Sequence, residues 1–395
     1  MTYRAAIFRR NAEAVFVYPI VWLGKLLSPF FALKTKHEIF IFSPSADIGG
    51  SVKVNYDLCS CFSNKYPLVI FSKRPKNNEF LHHFQIPNVR SIDLSRYVDY
   101  KWYHVVNIFY RGVVASWINQ VEKPVVIGGE SLYFYKVLPH IKRSALCADV
   151  CHLNTWFDYS QRFIKELDAR VFSTPAIKRD AEELYRKNHI SEEYSRRLHF
   201  IDNKVDIPEY VKTKNEKLCV VYVGRGALQK RVHLIASIAK KMFEMKSNVE
   251  FSFVGDVEKV IDPDDCPYAK FYGNIKDKEK MNEIYSGSDV LLLTSAYEGL
   301  PIAVMEMMAH GRVVVSTAVD GIPDYIHDGE NGFLLQNDPD ENIIVEQGIL
   351  VLQQLAANRQ LLEEVGKNSW LYAKRHFSGE TFCKSYRSLL FHGMN

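Results

Sequence analysis

The sequence predicts an α/β protein with two doubly wound domains, each built on a parallel sheet and facing the other across a cleft. Three observations lead to this prediction. The chain of 395 residues is too long for one ordinary core. Short apolar runs alternate with helical stretches, and this alternation starts afresh after a polar stretch at residues 203–217. Apolar residues at 47% and charged residues at 24% are the proportions of a globular protein, so a disordered or fibrous chain is excluded.

The first series of strands begins at His37. The segment HEIFIFSPSADIGGSVKVNYDL predicts a strand, a glycine turn and a helix. The alternation with helical stretches implies that the strands are parallel. We therefore assign residues 37–205 to the first domain. Its further strands are predicted at 67–72, 104–109, 124–129, 145–150 and 169–174.

A second series of strands follows the polar stretch and assigns residues 206–375 to the second domain. In such sheets ligands bind at the carboxyl ends of the strands, so the turns after strands are where functional residues are expected. The predicted strands are 218–224, 249–255, 269–274, 289–295, 313–318 and 332–335, with helices at 230–245, 277–287 and 301–310.

Residues 1–36 form a basic and aromatic N-terminal extension. They carry six cations against one acid, Glu13, so this segment holds a charge of +5 while the whole chain holds +4. The rest of the chain is close to neutral, and nothing in it predicts a nucleic-acid-binding surface. The cations are Arg4, Arg9, Arg10, Lys25, Lys34 and Lys36.

The apolar part of this extension, residues 14–33, is interrupted by Pro19, Gly24, Lys25 and Pro29, so a membrane-spanning helix is not predicted. No small-residue cleavage site follows it, which argues against a removed signal peptide. Two interpretations remain open. The extension lies in a membrane interface, as its aromatic and basic composition favours, or it forms a helical pair packed on the protein's own surface.

The seven cysteines are scattered, and their apolar surroundings predict free thiols in a reducing cytoplasm. The pairs Cys59/Cys61 and Cys147/Cys151 lack the doubled spacing of a zinc site. The acidic segment DPDDCP at 262–267 resembles a metal-binding DxD, but its flanking prolines favour an exposed turn. No metal site is therefore predicted.

Two glutamates stand out in the stretch SAYEGLPIAVMEMMAHG, residues 295–311. Pro301 fits the first turn of a helix, which places Glu298 in the preceding turn and Glu306 within the helix. The two acids are then about 8–10 Å apart along the helix, a distance that a nucleoside-diphosphate sugar would bridge. Gly299 leaves the backbone N–H groups at the helix start accessible to a phosphate.

Carboxylates alone would repel a diphosphate, and the first turn of the same domain supplies cations. The segment VGRGALQKR at 223–231 places Arg225 after a buried strand and Lys230 at the start of a helix. Both side chains are of the type that holds phosphates, Arg225 as a forked donor and Lys230 as a point charge. They would also stabilise the charge that develops on a leaving nucleoside diphosphate.

This combination resembles family 4 of the retaining GT-B glycosyltransferases, over nearly the whole second domain and in order. The resemblance implies two Rossmann-like domains that face a cleft, with residues 376–395 forming a helix that crosses back to the first domain. The matching motifs are the E-x7-E pair (Glu298, Glu306), the VGR…K turn (Arg225, Lys230), the VGD strand end (Gly255, Asp256), the YGN turn (Gly273, Asn274) and DGIPDYIHDGENGFLL at 320–335.

The resemblance also implies roles for individual residues. Glu306 takes the place of the glutamate that binds the ribose hydroxyls, and Glu298 that of the glutamate beside the donor sugar. The backbone amides of Gly299 and Leu300 are implied to approach sugar and phosphate.

The remaining implied roles concern the diphosphate and the reacting carbon. Arg225 and Lys230 are implied to hold the diphosphate without a metal. The segment DIGGS in the first domain implies that Gly49 and Gly50 close onto the phosphates from the opposite side. His152 matches, by position only, a histidine near the reacting carbon.

The sequence departs from the family pattern in two places. The common GG-x-x-E after a strand appears here as DGIPD, with Asp320 and Asp324 at the flanking positions. Leu153 and Asn154 follow His152 where the family usually has an acidic neighbour.

The resemblance implies a metal-independent retaining hexosyltransferase with UDP as the default nucleotide, no cofactor, and a front-face mechanism. Its acceptor is expected to be a glycan or lipid-linked glycan of capsule or lipopolysaccharide synthesis, at the inner face of the cytoplasmic membrane. Two alternatives stay open: a nucleotide-sugar epimerase of the same fold, and a non-catalytic sugar-nucleotide-binding scaffold.

Overall fold

The computed structural model describes residues 3–47, 49–100, 104–152 and 157–391. The chain divides into two compact units. Unit 1 comprises Met1–Asn203 and Cys383–Asn395, and unit 2 comprises Lys204–Phe382.

Unit 1 is built on a seven-stranded sheet in the order β3-β2-β1-β4-β5-β6-β7, and every pair of neighbouring strands is parallel. Helices cover both faces of such a sheet, and β1, β2 and β4 are accordingly buried at every residue. The strands are β1 Ile39–Ser43, β2 Leu68–Phe71, β3 Arg90–Asp93, β4 Val125–Gly129, β5 Leu146–Cys151, β6 Ala169–Phe172 and β7 Leu198–Phe200.

The helices of unit 1 include one correction to the expected elements. The segment 104–109 was expected to be a strand, but it begins a helix, because the buried positions that follow it recur every three to four residues. The helices are α1 Tyr3–Leu27, α2 Gly50–Cys61, α3 Ser95–Val98, α4 His104–Asn119, α5 Leu132–Val137, α6 Phe157–Ser160, α7 Pro175–Lys187 and α8 Glu192–Ser195.

Pro19 and Gly24 interrupt the apolar run of the N-terminal extension but not its helix, since α1 is one continuous helix of 25 residues with Pro19 inside it. Gly24 has a packing role. A Cβ atom at Gly24 would collide with the Phe109 carbonyl oxygen of α4, and one at Gly112 would collide with the Val21 carbonyl oxygen of α1. The two glycines therefore let α1 and α4 pack backbone to backbone.

By length and composition alone, one helical stretch of the described residues, Ala5–Phe31, is apolar enough to cross a membrane.

Unit 2 is built on a six-stranded parallel sheet in the order β10-β9-β8-β11-β12-β13. The order reverses direction between β8 and β11, and ligands of such sheets bind at the carboxyl ends beside this switch point. The strands are β8 Leu218–Val223, β9 Val249–Val254, β10 Ala269–Phe271, β11 Val290–Leu293, β12 Val313–Thr317 and β13 Phe333–Leu335.

Local signals define the helices of unit 2. The Asp277 side chain accepts hydrogen bonds from the first backbone N–H groups of α10, and Asp340 caps α12 in the same way. The helices are α9 Val232–Glu244, α10 Lys278–Gly287, α11 Ile302–Ala309, α12 Glu341–Ala357, α13 Arg359–His376 and α14 Gly379–Phe391, the last of which runs from unit 2 into unit 1.

The cysteines also correct an expectation, because two of the seven are not free thiols. Cys61 at the end of α2 and Cys383 in α14 form a disulfide, with Cα atoms 5.4 Å apart. The bond joins two positions that are 322 residues apart in the sequence. The other five cysteines are free thiols, and burial raises the pKa of Cys59 and Cys147.

Candidate functional site

The site of unit 2 lies where two loops meet at the carboxyl ends of adjacent strands. β8 and β11 pair directly, so the turn at 224–231 and the turn at 294–301 leave the sheet side by side. This is the switch point of the sheet, where ligands of doubly wound domains bind.

An ion pair connects the two turns. The Lys230 ammonium contacts the Glu298 carboxylate, and the Ser295 hydroxyl donates to the same carboxylate oxygen, Oε1, at 2.7 Å. The side chains of Lys230 and Glu298 are only 14% and 7% exposed. The pair is therefore largely shielded from water, and a charge-assisted contact of this kind is stronger than a surface ion pair. The sequence predicted both residues but not their contact.

Arg231 holds the end of the first turn in place. Its backbone is in the left-handed region, with φ +44°. Its guanidinium donates to the carbonyl oxygens of Thr294 at 2.7 Å and Ser295 at 2.9 Å. Arg231 thus fastens the end of β11 to the start of α9, and the neighbouring Lys230 is presented beside Glu298.

Arg225 occupies the other end of this turn. Its side chain is exposed, and it forms no ion pair with any described residue. The Tyr222 hydroxyl donates to the Arg225 carbonyl oxygen at 2.9 Å, and Asp256 accepts the Gly226 N–H at 3.1 Å. Burial, and then the charge of Glu298, raise the pKa of Tyr222, so its hydroxyl stays protonated and keeps donating. The backbone of the turn is fixed while the guanidinium remains available to an anion.

The backbone at Glu298 is fixed by a residue of the loop that follows β12. The Glu298 N–H donates to Asp320 Oδ2 at 2.7 Å, and Asp320 has φ +41°, a left-handed conformation that aspartate adopts less readily than glycine. Within the described chain, no acceptor faces the N–H groups of Gly299 and Leu300. These two donors precede α11, whose N-terminus favours an anion.

Glu306 lies on α11 and is held by a residue that the sequence did not single out. The Tyr285 hydroxyl of α10 donates to Glu306 Oε2 at 2.6 Å. Burial, followed by the charge of Glu306, raises the pKa of Tyr285, so this hydroxyl is a donor at any physiological pH. His310 Nδ1 lies 2.8 Å from the Glu306 carbonyl oxygen at the end of the helix.

The predicted residues of unit 1 lie at the carboxyl edge of its sheet. Gly49 and Gly50 are exposed at the start of α2, and a Cβ atom on either would meet nothing within 4 Å. Gly49 has φ 179°, which is extended backbone, so neither position requires glycine for its conformation.

His152 follows β5, and burial lowers its pKa to about 4. The ring is therefore neutral at physiological pH. Its buried Nε2 atom has no hydrogen-bond partner among the residues that the structure describes, and its backbone N–H donates to Glu130 Oε1 at 2.9 Å. Glu130 follows β4 and has φ +58°. The predicted departure at Leu153 and Asn154 lies outside the described residues.

Asp262, whose segment resembled a metal-binding motif, accepts the Asp264 N–H and caps a short helix. The described part of the chain contains no cluster of three or more His, Cys, Asp or Glu side chains suited to a metal ion.

Sequence reasoning did not assign four residues that build the site: Ser295, Asp320, Tyr285 and Arg231. Asp320 had a signal, since it stands where the family pattern has glycine. The others carried no local signal, because each acts on a residue from a neighbouring element.

Comparison with known proteins bears on unit 2 first. Residues 217–350 match the family described as glycosyl transferases group 1. The sulfoquinovosyl transferase SQD2 of Arabidopsis thaliana is 32% identical over 161 residues, which are 38% of this chain and 29% of that protein. The capsular polysaccharide biosynthesis glycosyltransferase CapM of Staphylococcus aureus is 24% identical over 194 residues, 48% of this chain and 50% of that protein. The chain thus spans half or less of these relatives.

Solved structures resemble this chain over most of its length. HepE of Anabaena in complex with UDP-glucose has a TM-score of 0.63 at 14% identity, over 88% of this chain and 97% of that one. The lipopolysaccharide outer core galactosyltransferase WaaB, in its apo form, has a TM-score of 0.66 at 18% identity, over 90% and 99%. These likenesses establish the fold. The chain therefore has the GT-B fold of glycosyltransferases and carries a glycosyltransferase group 1 domain at residues 217–350.

Proposed function

We propose that the protein is a retaining glycosyltransferase of family 4. It moves a hexose-type sugar from a nucleoside-diphosphate donor, UDP by default, to a hydroxyl of a glycan or lipid-linked glycan in cell-envelope polysaccharide synthesis. The observation that carries this proposal is the shielded contact of Lys230 with Glu298 at the switch point of unit 2. HepE, a structural neighbour, binds UDP-glucose, and CapM and WaaB are named for capsule and lipopolysaccharide synthesis.

The donor occupies the two turns of unit 2 in this proposal. Lys230 and the exposed Arg225 bind the diphosphate, and the N–H groups of Gly299 and Leu300 complete its surroundings. A bound diphosphate competes with the Glu298 carboxylate for Lys230, because the single ammonium group then has two anionic partners. Glu298 lies beside the donor sugar and Glu306 beside the ribose, at opposite ends of the donor. For Gly49 and Gly50 we keep the phosphate-binding role that the family resemblance implies.

Catalysis in this proposal takes place on one face of the sugar. The bond from the anomeric carbon to the phosphate oxygen breaks, and the acceptor hydroxyl forms its new bond on the same face. The acceptor proton passes to the oxygen of the departing phosphate. Lys230 and Arg225 stabilise the charge that builds on the diphosphate, without a metal. His152 is neutral because its pKa is about 4, so it is not a proton donor in this mechanism.

The activity is tested by incubating UDP-, GDP- and ADP-sugars with glycan acceptors and following nucleotide release. We expect release that depends on the acceptor, and its loss in Glu298→Ala with the fold intact by circular dichroism. Glu346→Gln, at an exposed glutamate of α12, is the control. A changed sugar without an acceptor would identify the epimerase. Nucleotide binding without turnover would identify the scaffold.

The acceptor side of the proposal concerns α1, whose outer face is apolar. Every exposed side chain between residues 14 and 33 is apolar or aromatic, with Phe16 82% and Trp22 54% exposed. Two cations of this helix, Lys25 and Arg10, contact the protein. Lys25 donates to the His140 carbonyl oxygen at 3.0 Å, and Arg10 donates to Glu166 at 2.6 Å.

The opposite face of α1 packs on α4 through Gly24 and Gly112, so the helix is both packed on the protein and exposed. A helix fixed in this way along its length offers one face to a bilayer interface. Exposed Arg9 and Lys34 at the two ends of the apolar face match anionic headgroups. We place the protein in the cytoplasm, at the inner face of the membrane, with a lipid-linked acceptor.

Flotation with liposomes that contain anionic phospholipid tests this attachment. Phe16→Asp and Trp22→Asp should abolish flotation, since each places a charge at the centre of the exposed face. Leu350→Asp, at a 64% exposed position of unit 2, is the matched control and should float like the wild type. Equal flotation of all variants would refute membrane attachment through α1.

A further inference from the structure

The Glu306 carboxylate is oriented by a hydrogen bond from another helix. Tyr285, on the last turn of α10, is 3% exposed and donates its hydroxyl to Glu306 Oε2 at 2.6 Å. The ring of Tyr285 also packs against that of His310, with centroids 5.5 Å apart. Tyr285 is fixed at its backbone as well, since its carbonyl oxygen accepts from Arg312 Nε at 3.3 Å. The donor to Glu306 therefore stands on a rigid, buried support.

A glutamate side chain has three rotatable bonds, and ordering them when a ligand binds costs affinity. A hydrogen bond from Tyr285 orders the Glu306 carboxylate before any ligand arrives. A carboxylate has about four acceptor positions, so the bond from Tyr285 leaves capacity for the hydroxyl groups of a ribose. Recognition of vicinal hydroxyls depends on the plane of the carboxylate, which this contact fixes.

The geometry points to Tyr285 as the positioning residue that makes the donor site selective for a ribose over a deoxyribose nucleotide. Tyr285 acts through Glu306 and touches no substrate. The inference rests on the proposed function, because it takes Glu306 as the residue that accepts the ribose hydroxyls.

The test measures dissociation constants by titration calorimetry for two ligands. These are the tightest binder among UDP, GDP and ADP, and its 2′-deoxy counterpart. Tyr285→Phe removes only the hydroxyl group. Glu306→Gln removes the negative charge of the carboxylate that accepts from this hydroxyl. Tyr133→Phe in unit 1 is the matched control, because the buried Tyr133 hydroxyl has no hydrogen-bond partner in the described part of the chain.

We expect the wild type to bind the ribonucleotide more tightly than the deoxynucleotide. Tyr285→Phe should lower this ratio by about three- to tenfold, because it weakens binding of the ribonucleotide more than binding of the deoxynucleotide, which keeps only its 3′-hydroxyl for Glu306. Tyr133→Phe should leave the ratio unchanged. If Tyr285→Phe folds poorly, Tyr285→Met fills the same site with apolar atoms and should lower the ratio in the same way.

Two other results separate the inference from the proposed function. If Glu306→Gln lowers the ratio and Tyr285→Phe does not, the positioning role is overturned and the role of Glu306 stands. If neither variant changes the ratio, Glu306 does not bind ribose, and both statements fail. If Tyr285 had a purely structural role, Tyr285→Phe would weaken the binding of both nucleotides equally and leave the ratio unchanged. A lowered ratio excludes such a role.

Discussion

Because Lys230 contacts Glu298, the substitution Glu298→Gln should affect protein stability and nucleotide binding in opposite directions. Glu298→Gln keeps the shape of the side chain and its ability to accept from Ser295, but removes the charge. Lys230, with only 14% of its side chain exposed, then lacks its counter-charge.

The size of the effect follows from this burial. Exposed ion pairs contribute about 0–1 kcal/mol, and breaking a fully buried pair costs about 3–5 kcal/mol. The pair of Lys230 and Glu298 lies between these limits, so Glu298→Gln should lower the free energy of unfolding of unit 2 by about 1.5–3 kcal/mol.

Nucleotide binding should change in the opposite direction. In the wild type a diphosphate shares Lys230 with Glu298, whereas in Glu298→Gln it supplies the missing counter-charge. The variant should therefore bind UDP about as tightly as the wild type or up to about tenfold more tightly, since 1.4 kcal/mol corresponds to a factor of ten. Sugar transfer should fall at least about a hundredfold, because Glu298 is placed beside the donor sugar.

Differential scanning calorimetry with and without UDP measures both quantities. Glu298→Gln should have a lower Tm than the wild type without ligand, and UDP should raise its Tm at least as much as it raises that of the wild type. Glu346→Gln should match the wild type in both. An unchanged Tm, or UDP binding that weakens in parallel with transfer, would show that Lys230 and Glu298 do not form the shielded pair.

Three further predictions concern Asp320, the disulfide and His152. Asp320→Ala should lower the free energy of unfolding by about 1–3 kcal/mol. Asp320→Gly should be about 1 kcal/mol more stable than the alanine variant, because a backbone with φ +41° favours glycine. Urea unfolding measures both differences. Cys383→Ser should lower the stability of the oxidised protein by about 2–4 kcal/mol, and a reductant should lower the Tm of the wild type only. Burial of His152 should make the free energy of unfolding fall by about 3 kcal/mol as the pH decreases from about 6.5 to about 4, because the unfolded chain binds the proton at a higher pH than the folded chain does. Unfolding of His152→Gln, measured over the same pH range, should lack this loss.

Each of these predictions has a contrary outcome. Equal stability of the two Asp320 variants would mean that the backbone there carries no strain. A reductant-dependent Tm in Cys383→Ser would place the redox effect elsewhere in the chain. A stability profile of His152→Gln that parallels the wild type between pH 6.5 and 4 would show that the histidine is protonated in the folded state.

In unit 2 the sequence predicted well those features that depend on residues close together in the chain, namely the strands and the turns that follow them. All six of its strands were located from the sequence, since the central strands β8, β11 and β12 are apolar runs bounded by turns. The turns that follow β8 and β11 contain Arg225, Lys230 and Glu298, and Glu306 follows on α11. Unit 1 was harder. The edge strand β3, with the sequence RSID, is mostly exposed and polar, and the segment 104–109 has a strand-like composition within a helix.

The sequence by itself determined the two parallel sheets and the residue types at the ends of their strands, because burial and turn formation act over a few residues. Only the tertiary structure decided which of those residues touch. Tyr285 on α10 donates to Glu306, Asp320 in the loop after β12 accepts from the Glu298 N–H, and Cys61 is bonded to Cys383 across 322 positions. Such contacts depend on how helices and strands pack, and no local pattern of residues encodes the partner of a side chain that lies on another element.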